Sequence, residues 1–280
     1  GRVKMFRLGG IRIGRVFKIP VYIHPTWFFI LFLLTAAWGQ AIISATEVSS
    51  FVGYLLGLIS AVTAFATLLA HEYGHALTAR RFGISTDRIT LFMLGGVAQI
   101  KAEPKRPIEE LLVALAGPAV SIACMLIFGG AWLAAEFAGL SPLIVYPLQL
   151  VGIVNFAFAA FNMLPGFPMD GGRVLRALLA MYYHRGRATQ IASKIGQFLA
   201  IVFVFLGLFY NFWLIFIGIF IYLGAGAEAN YENYRSALSK YKVGDVLMKQ
   251  FTLLHGYEQI EKAVKLLLDG QEKEFLITED

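Results

Sequence analysis

The chain has 280 residues, 58% of them hydrophobic and 15% charged, with a mean hydropathy of +0.67. Soluble domains carry about 45–50% apolar and about 25% charged residues, so this composition excludes a single water-soluble globule and points to a polytopic membrane protein. The net charge of +6 gathers beside apolar segments, as a topology signal does rather than a nucleic-acid surface, and the single cysteine, Cys124, forms no internal disulfide.

Residues 1–25 alternate basic and apolar positions (Arg2, Lys4, Arg7, Arg12, Arg15, Lys18) and read as a basic membrane-associated segment. Within it, 11–13 and 16–19 are strands or an interfacial hairpin. A six-span α-helical domain follows over 26–226. Residues 26–43 form the first span, with Trp27 and Trp38 as interface anchors, and 51–79 the second, ending at Arg80 and Arg81. Gly53 and Gly57 have the spacing at which membrane helices approach closely. Residues 84–108, with Gly95, Gly96, Pro104 and Pro107 among β-favouring residues, predict a strand or loop pair. The third span, 109–135, is interrupted by Gly117-Pro118, and the fourth is 143–163. A Pro/Gly-rich turn at 164–172 leads into a short helix ending near Tyr183. Residues 190–209 and 211–226 are spans five and six. Lys and Arg follow spans two, four and six and are missing from the loops after one, three and five, which sets both termini in the cytoplasm. Residues 227–242 read as a linker, and 243–280 as a soluble β-α-β piece too small to bury its own core.

An ionisable residue inside a membrane span is a functional candidate by default. The second span holds His71, Glu72 and His75 in the run HEYGH. Positions i and i+4 share a helix face, so the two histidines can bind one metal ion, and Glu72 can approach it without ligating it. This is the HExxH arrangement: two imidazoles for zinc and a carboxylate as general base for water. A catalytic zinc takes a third protein ligand. His24, His184 and His255 qualify by type, but they fall at a membrane edge, in a loop and in the soluble tail. Asp170 lies in the run NMLPGFPMDGGR (162–173), where turn-formers break the helix and a carboxylate can be aimed inward. Irregular backbone at membrane depth is tolerated only against protein or water. Spacing alone leaves Asp170 equally able to cap the helix that begins near Gly171. Residues 95–99 could hold an unwound substrate by strand addition, or form a plain hairpin.

HEYGH in a span, followed far along the chain by NMLPGFPMDGGR, resembles the site-2 protease family of intramembrane metalloproteases over roughly residues 20–225. Leu94-Gly95-Gly96-Val97 and Ala116-Gly117-Pro118 resemble family segments as well. The resemblance implies one zinc per chain on His71, His75 and Asp170, with Glu72 as base and Asn162 as a substrate or oxyanion contact. Asn155 reads as structural. The implied activity is peptide hydrolysis in or near transmembrane segments of regulatory membrane proteins, such as membrane-tethered transcription factors or anti-sigma proteins, in a prokaryotic cell membrane. The tail, at 243–248 and 251–254, resembles the start of a CBS domain. That implies adenine nucleotide as a ligand and a homodimer as one way to complete the pair. The rival class is a metal-carrying membrane protein without catalysis. Carriers often show internal repeats, and HEYGH and the DGG turn are unlike each other.

Overall fold

The computed structural model describes residues 10–93, 95–238, 253–268 and 276–278. Arg2, Lys4, Arg7, Leu94 and the CBS-like run 243–248 lie outside them. The chain divides into two compact units after Glu232.

The first unit opens with a hairpin of β1 (Ile11–Val16) and β2 (Ile19–Ile23), turning at Phe17-Lys18, both in the left-handed region. Two left-handed residues give the turn whose twist matches paired strands. Pro25 then starts α1 (Pro25–Thr46), which His24 caps by accepting the Thr26 N–H at Nδ1. Next come α2 (Ser50–Arg81), β3 (Thr86–Phe92), β4 (Gly95–Ile100), α3 (Pro107–Phe137), α4 (Pro142–Asn162), α5 (Asp170–Leu179), α6 (Arg185–Phe209) and α7 (Trp213–Leu238). Six of these helices, α1, α2, α3, α4, α6 and α7, are long and apolar enough to cross a membrane. They coincide with the six expected spans. In lipid every backbone polar group needs an internal partner, so each long apolar stretch becomes a helix. α2 has 32 residues, about 48 Å at ~1.5 Å per residue, longer than a hydrocarbon core of ~30 Å. The glycine spacing in α2 also has its expected use. A Cβ on Gly57 would lie 2.6 Å from Gly39 N and 2.8 Å from Thr35 O, so the backbones of α1 and α2 touch there.

The four strands form one sheet in the order β1-β2-β3-β4, with β2 and β3 parallel and the other pairs antiparallel. Its apolar face lies along α2. Ile19, Val21 and Ile89 pack on Tyr73 and Ala76, and Ile23 and Leu91 join Trp27, Phe65 and Leu68. The sheet therefore runs beside the HEYGH turn. From Ile11 on, the basic segment expected over residues 1–25 is a hairpin that joins this sheet. Every second residue of β2 is buried against α2, and the hairpin turn is tied to the same helix by Tyr73 and Arg80, which donate to the carbonyls of Val16 and Phe17. β4 forms the outer edge of the sheet nearest Glu72.

A second difference concerns α7. It continues to Leu238, through most of the stretch read as a linker. Its polar turns are held on the protein side by ion pairs from Glu228 to Arg176 and from Glu232 to Arg185. In the second unit, β5 (Leu253–His255) pairs in parallel with β6 (Leu276–Thr278) across α8 (Ile260–Leu268), the β-α-β order read from the tail.

Candidate metal centre

α2 carries His71, Glu72 and His75, all buried. Asp170 reaches them from α5 through the turn after α4. That turn is wedged between helices by glycines: a Cβ on Gly166 would lie 2.5 Å from the Gly196 Cα of α6, and one on Gly224 of α7 would lie 2.8 Å from Cγ of Pro168. Met169, rather than Asp170, is the N-cap of α5. Asp170 is the first helical residue, and its carboxylate turns toward the histidines.

Asp170 Oδ2 lies 3.1 Å from Nε2 of His71 and 3.1 Å from Nε2 of His75, and the two Nε2 atoms are 3.1 Å apart. Both Nδ1 atoms are engaged elsewhere. That of His71 meets Ser121 Oγ at 2.9 Å, and that of His75 meets the Val113 carbonyl at 2.7 Å. A carbonyl only accepts, so the His75 Nδ1 carries the proton and the Nε2 of the neutral ring is a bare lone pair. That lone pair faces a carboxylate oxygen and a second imidazole. Such a triangle repels itself unless a cation sits among the three atoms or extra protons join them. Tetrahedral zinc with bonds of about 2.0–2.1 Å spaces its ligands by about 3.3 Å, close to the triangle's edges. The donor set of two imidazoles and a carboxylate, each imidazole steadied at its far nitrogen, fits zinc. Arg173, one turn along α5, lies 3.9 Å from the other carboxylate oxygen of Asp170.

Glu72 faces the sheet edge. Its Oε2 accepts the Ala98 N–H of β4 at 3.1 Å, and a Cβ on Gly96 would lie 2.5 Å from its Cγ. α3 covers the centre with bare backbone: a Cβ on Gly117 would lie 2.6 Å from the His71 Nε2 and 2.5 Å from the His75 Cε1. α3 runs unbroken through Gly117-Pro118, where an interruption was expected, and meets both rings there. Asn162 is the last residue of α4, half-buried, and its side chain has no hydrogen bond among the described residues. Asn155 is buried and donates to Thr67 Oγ1 and the Val151 carbonyl, as a structural residue does. The three other histidines have local partners of their own. His24 caps α1, His184 is the N-cap of α6, and His255 bonds Thr278. His71, His75 and Asp170 are the one group of potential metal ligands among the described residues.

Sequence reading did not find Ser121, the Val113 carbonyl or the Ala98 N–H. For Ser121 a signal existed: a polar residue one turn past Gly117-Pro118 in an apolar span. Ser121→Ala removes the partner of His71 Nδ1 and is expected to weaken zinc binding about 10–100-fold, read by competition with a chelator. Wild-type affinity in that variant would mean the hydroxyl does not orient the ring.

Six spanning helices with a three-ligand cluster in their midst define an integral, multi-pass membrane metalloprotein. The sequence model of Peptidase family M50 matches residues 59–140 and 135–206, a range that takes in HEYGH and Asp170. The Synechocystis sp. protein sll0528, which carries a zinc metalloprotease name, is 35% identical over 256 residues, covering 87% of this chain and 66% of its own length. Rip3 of Mycobacterium tuberculosis, with the same kind of name, is 34% identical over 275 residues, covering 93% and 69%. The solved site-2 protease from Methanocaldococcus jannaschii superposes with a TM-score of 0.52 at 30% identity, over 79% of this chain and 95% of that one. The chain belongs to peptidase family M50, the zinc metalloproteases of the site-2 type. It spans about two thirds of the length of the curated relatives named here, 66% and 69%.

Proposed function

We propose that this chain hydrolyses peptide bonds in or near membrane-spanning segments of protein substrates, with His71, His75 and Asp170 holding zinc and Glu72 as general base. The observation that carries the reading is the meeting of two Nε2 atoms and one carboxylate oxygen at 3.1 Å, with Glu72 on the same helix as the two histidines. Zinc, when bound, polarises the scissile carbonyl and lowers the pKa of water toward 7. Ser121 and the Val113 carbonyl keep both Nε2 atoms turned inward. Glu72 takes the proton of the attacking water and delivers it to the leaving amine. A helical substrate hides its scissile amide in the helix ladder, so it must unwind. The β4 edge beside Glu72 supports strand addition as the way to hold it extended, with Gly95 and Gly96 admitting a second backbone. The unengaged amide of Asn162 is suited to a developing oxyanion or a substrate backbone group.

The basic residues at the Arg80-Arg81 end of α2 favour a metal centre toward the cytoplasmic face, both termini in the cytoplasm, and cleavage near the cytoplasmic ends of regulatory membrane proteins. The β5-α8-β6 unit supports an adenine nucleotide as regulator, with a second copy of the chain completing its site. ATP that leaves the cleavage rate unchanged removes this part. The central test is cleavage of a membrane-inserted substrate in proteoliposomes. A zinc chelator should stop it and added zinc should restore it, and cleavage that survives the chelator overturns the metalloprotease reading.

A further inference from the structure

A second buried polar cluster lies on the helices that build the metal centre. Arg176 of α5 is 3% exposed and Glu110 of α3 is 1% exposed. Arg176 donates from Nε at 2.7 Å and pairs from Nη2 at 2.6 Å with the same Glu110 oxygen, and from Nη1 at 2.6 Å with Glu228 of α7. Its guanidinium also lies 4.9 Å from the ring centre of Phe167, in the turn that leads to Asp170. Arg185 of α6 reaches the other Glu110 oxygen at 3.1 Å. None of these groups enters the chemistry proposed above. Desolvating such a pair can cost as much as its attraction returns, and an apolar pair of the same volume would hold two helices as firmly. What the pair adds is orientation, because the planar guanidinium fork fixes the direction of each partner.

The placement gives that orientation a use. Glu110, Val113, Gly117 and Ser121 follow one another at three- and four-residue steps, so they share one face of α3. That face carries the clamp and the groups that fix His71 and His75. Asp170, Arg173 and Arg176 follow at three-residue steps on α5. That helix therefore carries the third ligand and the other half of the clamp. The Arg176–Glu110 pair sets the rotation and axial register of α5 against the helix that orients both histidines. A slip of one residue is ~1.5 Å along a helix, whereas metal–ligand distances hold within about 0.2 Å.

We propose that Arg176 is a positioning residue for the metal centre: through Glu110 it sets Asp170 onto the two histidines, and through Glu228 it ties that setting to α7. The proposal rests on the ligand assignment above. Its test uses the full chain in detergent, comparing Arg176→Lys, Glu110→Gln and Glu228→Gln with Asp170→Ala as reference. Zn2+ affinity is measured by chelator competition, the absorption of the Co2+-loaded protein is recorded, and kcat and KM are taken on a membrane-inserted substrate. Arg176→Lys and Glu110→Gln should lose about 10–100-fold in Zn2+ affinity. Their cobalt bands should move toward those of Asp170→Ala, with kcat lowered and KM unchanged. Glu228→Gln should show a smaller loss of the same sign. If Asp170→Ala loses zinc while Arg176→Lys and Glu110→Gln keep wild-type affinity and spectrum, the pair only packs helices and the proposal is overturned alone. If Asp170→Ala itself keeps zinc, the ligand assignment falls and takes the proposal with it. Should Arg176→Lys fail to fold, Glu110→Gln decides on the same criteria, since it keeps the volume and one acceptor.

Discussion

Glu72→Gln is expected to keep its zinc and lose cleavage by about 100-fold or more. Glutamine has nearly the shape of glutamate, and its carbonyl can still accept the Ala98 N–H that links Glu72 to β4. The strand edge therefore stays where it is. His71, His75 and Asp170 are untouched, so metal content should match wild type by elemental analysis. What disappears is the capacity to take a proton from water. A metal carrier with the same ligands would not notice the change, and this separates the two classes that the sequence alone allows. Cleavage at the wild-type rate would remove Glu72 from the chemistry. Loss of zinc together with activity would make it a ligand instead.

The parts of this design that were legible in the sequence are those written in side chains at short range. His71 and His75 of HEYGH share one helix face, readable from spacing, and charges inside a span have few innocent uses. The spans were legible because lipid forces apolar length into helix. Nonlocal and backbone features left no such mark. The pairing of β2 with β3 joins residues 21–23 to 89–91 across two elements, and nothing in either run names its partner. The Val113 carbonyl and the Ala98 N–H are main-chain groups that every such residue possesses. The polar end of α7 looked like a linker because its glutamates pair with arginines far off in the sequence, on α5 and α6. Asp170 was recognisable as a candidate, but its direction depended on which residue of the turn became the cap. That residue is Met169, which has no capping side chain and advertises nothing.

Gly117→Ala is the smallest substitution expected to disable the metal centre. By helix propensity alone it should help, since alanine in a helix interior is favoured over glycine by roughly 0.5–1 kcal/mol. Local packing reverses the sign. The added Cβ would fall 2.6 Å from the His71 Nε2 and nearer still to the His75 Nε2. These are the atoms that point at Asp170. Neither ring can retreat freely, because Ser121 and Val113 hold their far nitrogens. Nor can α3 easily shift as a whole, for it already meets α2 at Gly74, where a Cβ would lie 2.7 Å from the Ala116 carbonyl oxygen. The rings must rotate out of line, and zinc affinity should fall by about 100-fold or more, with cleavage following it. Gly129→Ala and Gly130→Ala on the same helix serve as controls, since a Cβ at either meets nothing within 4 Å. They should keep zinc and cleavage. If Gly117→Ala behaves like these two, α3 does not crowd the ligands and the close approach is incidental. If it alone loses the metal, the bare backbone at Gly117 is as much a part of the centre as the histidines it presses against.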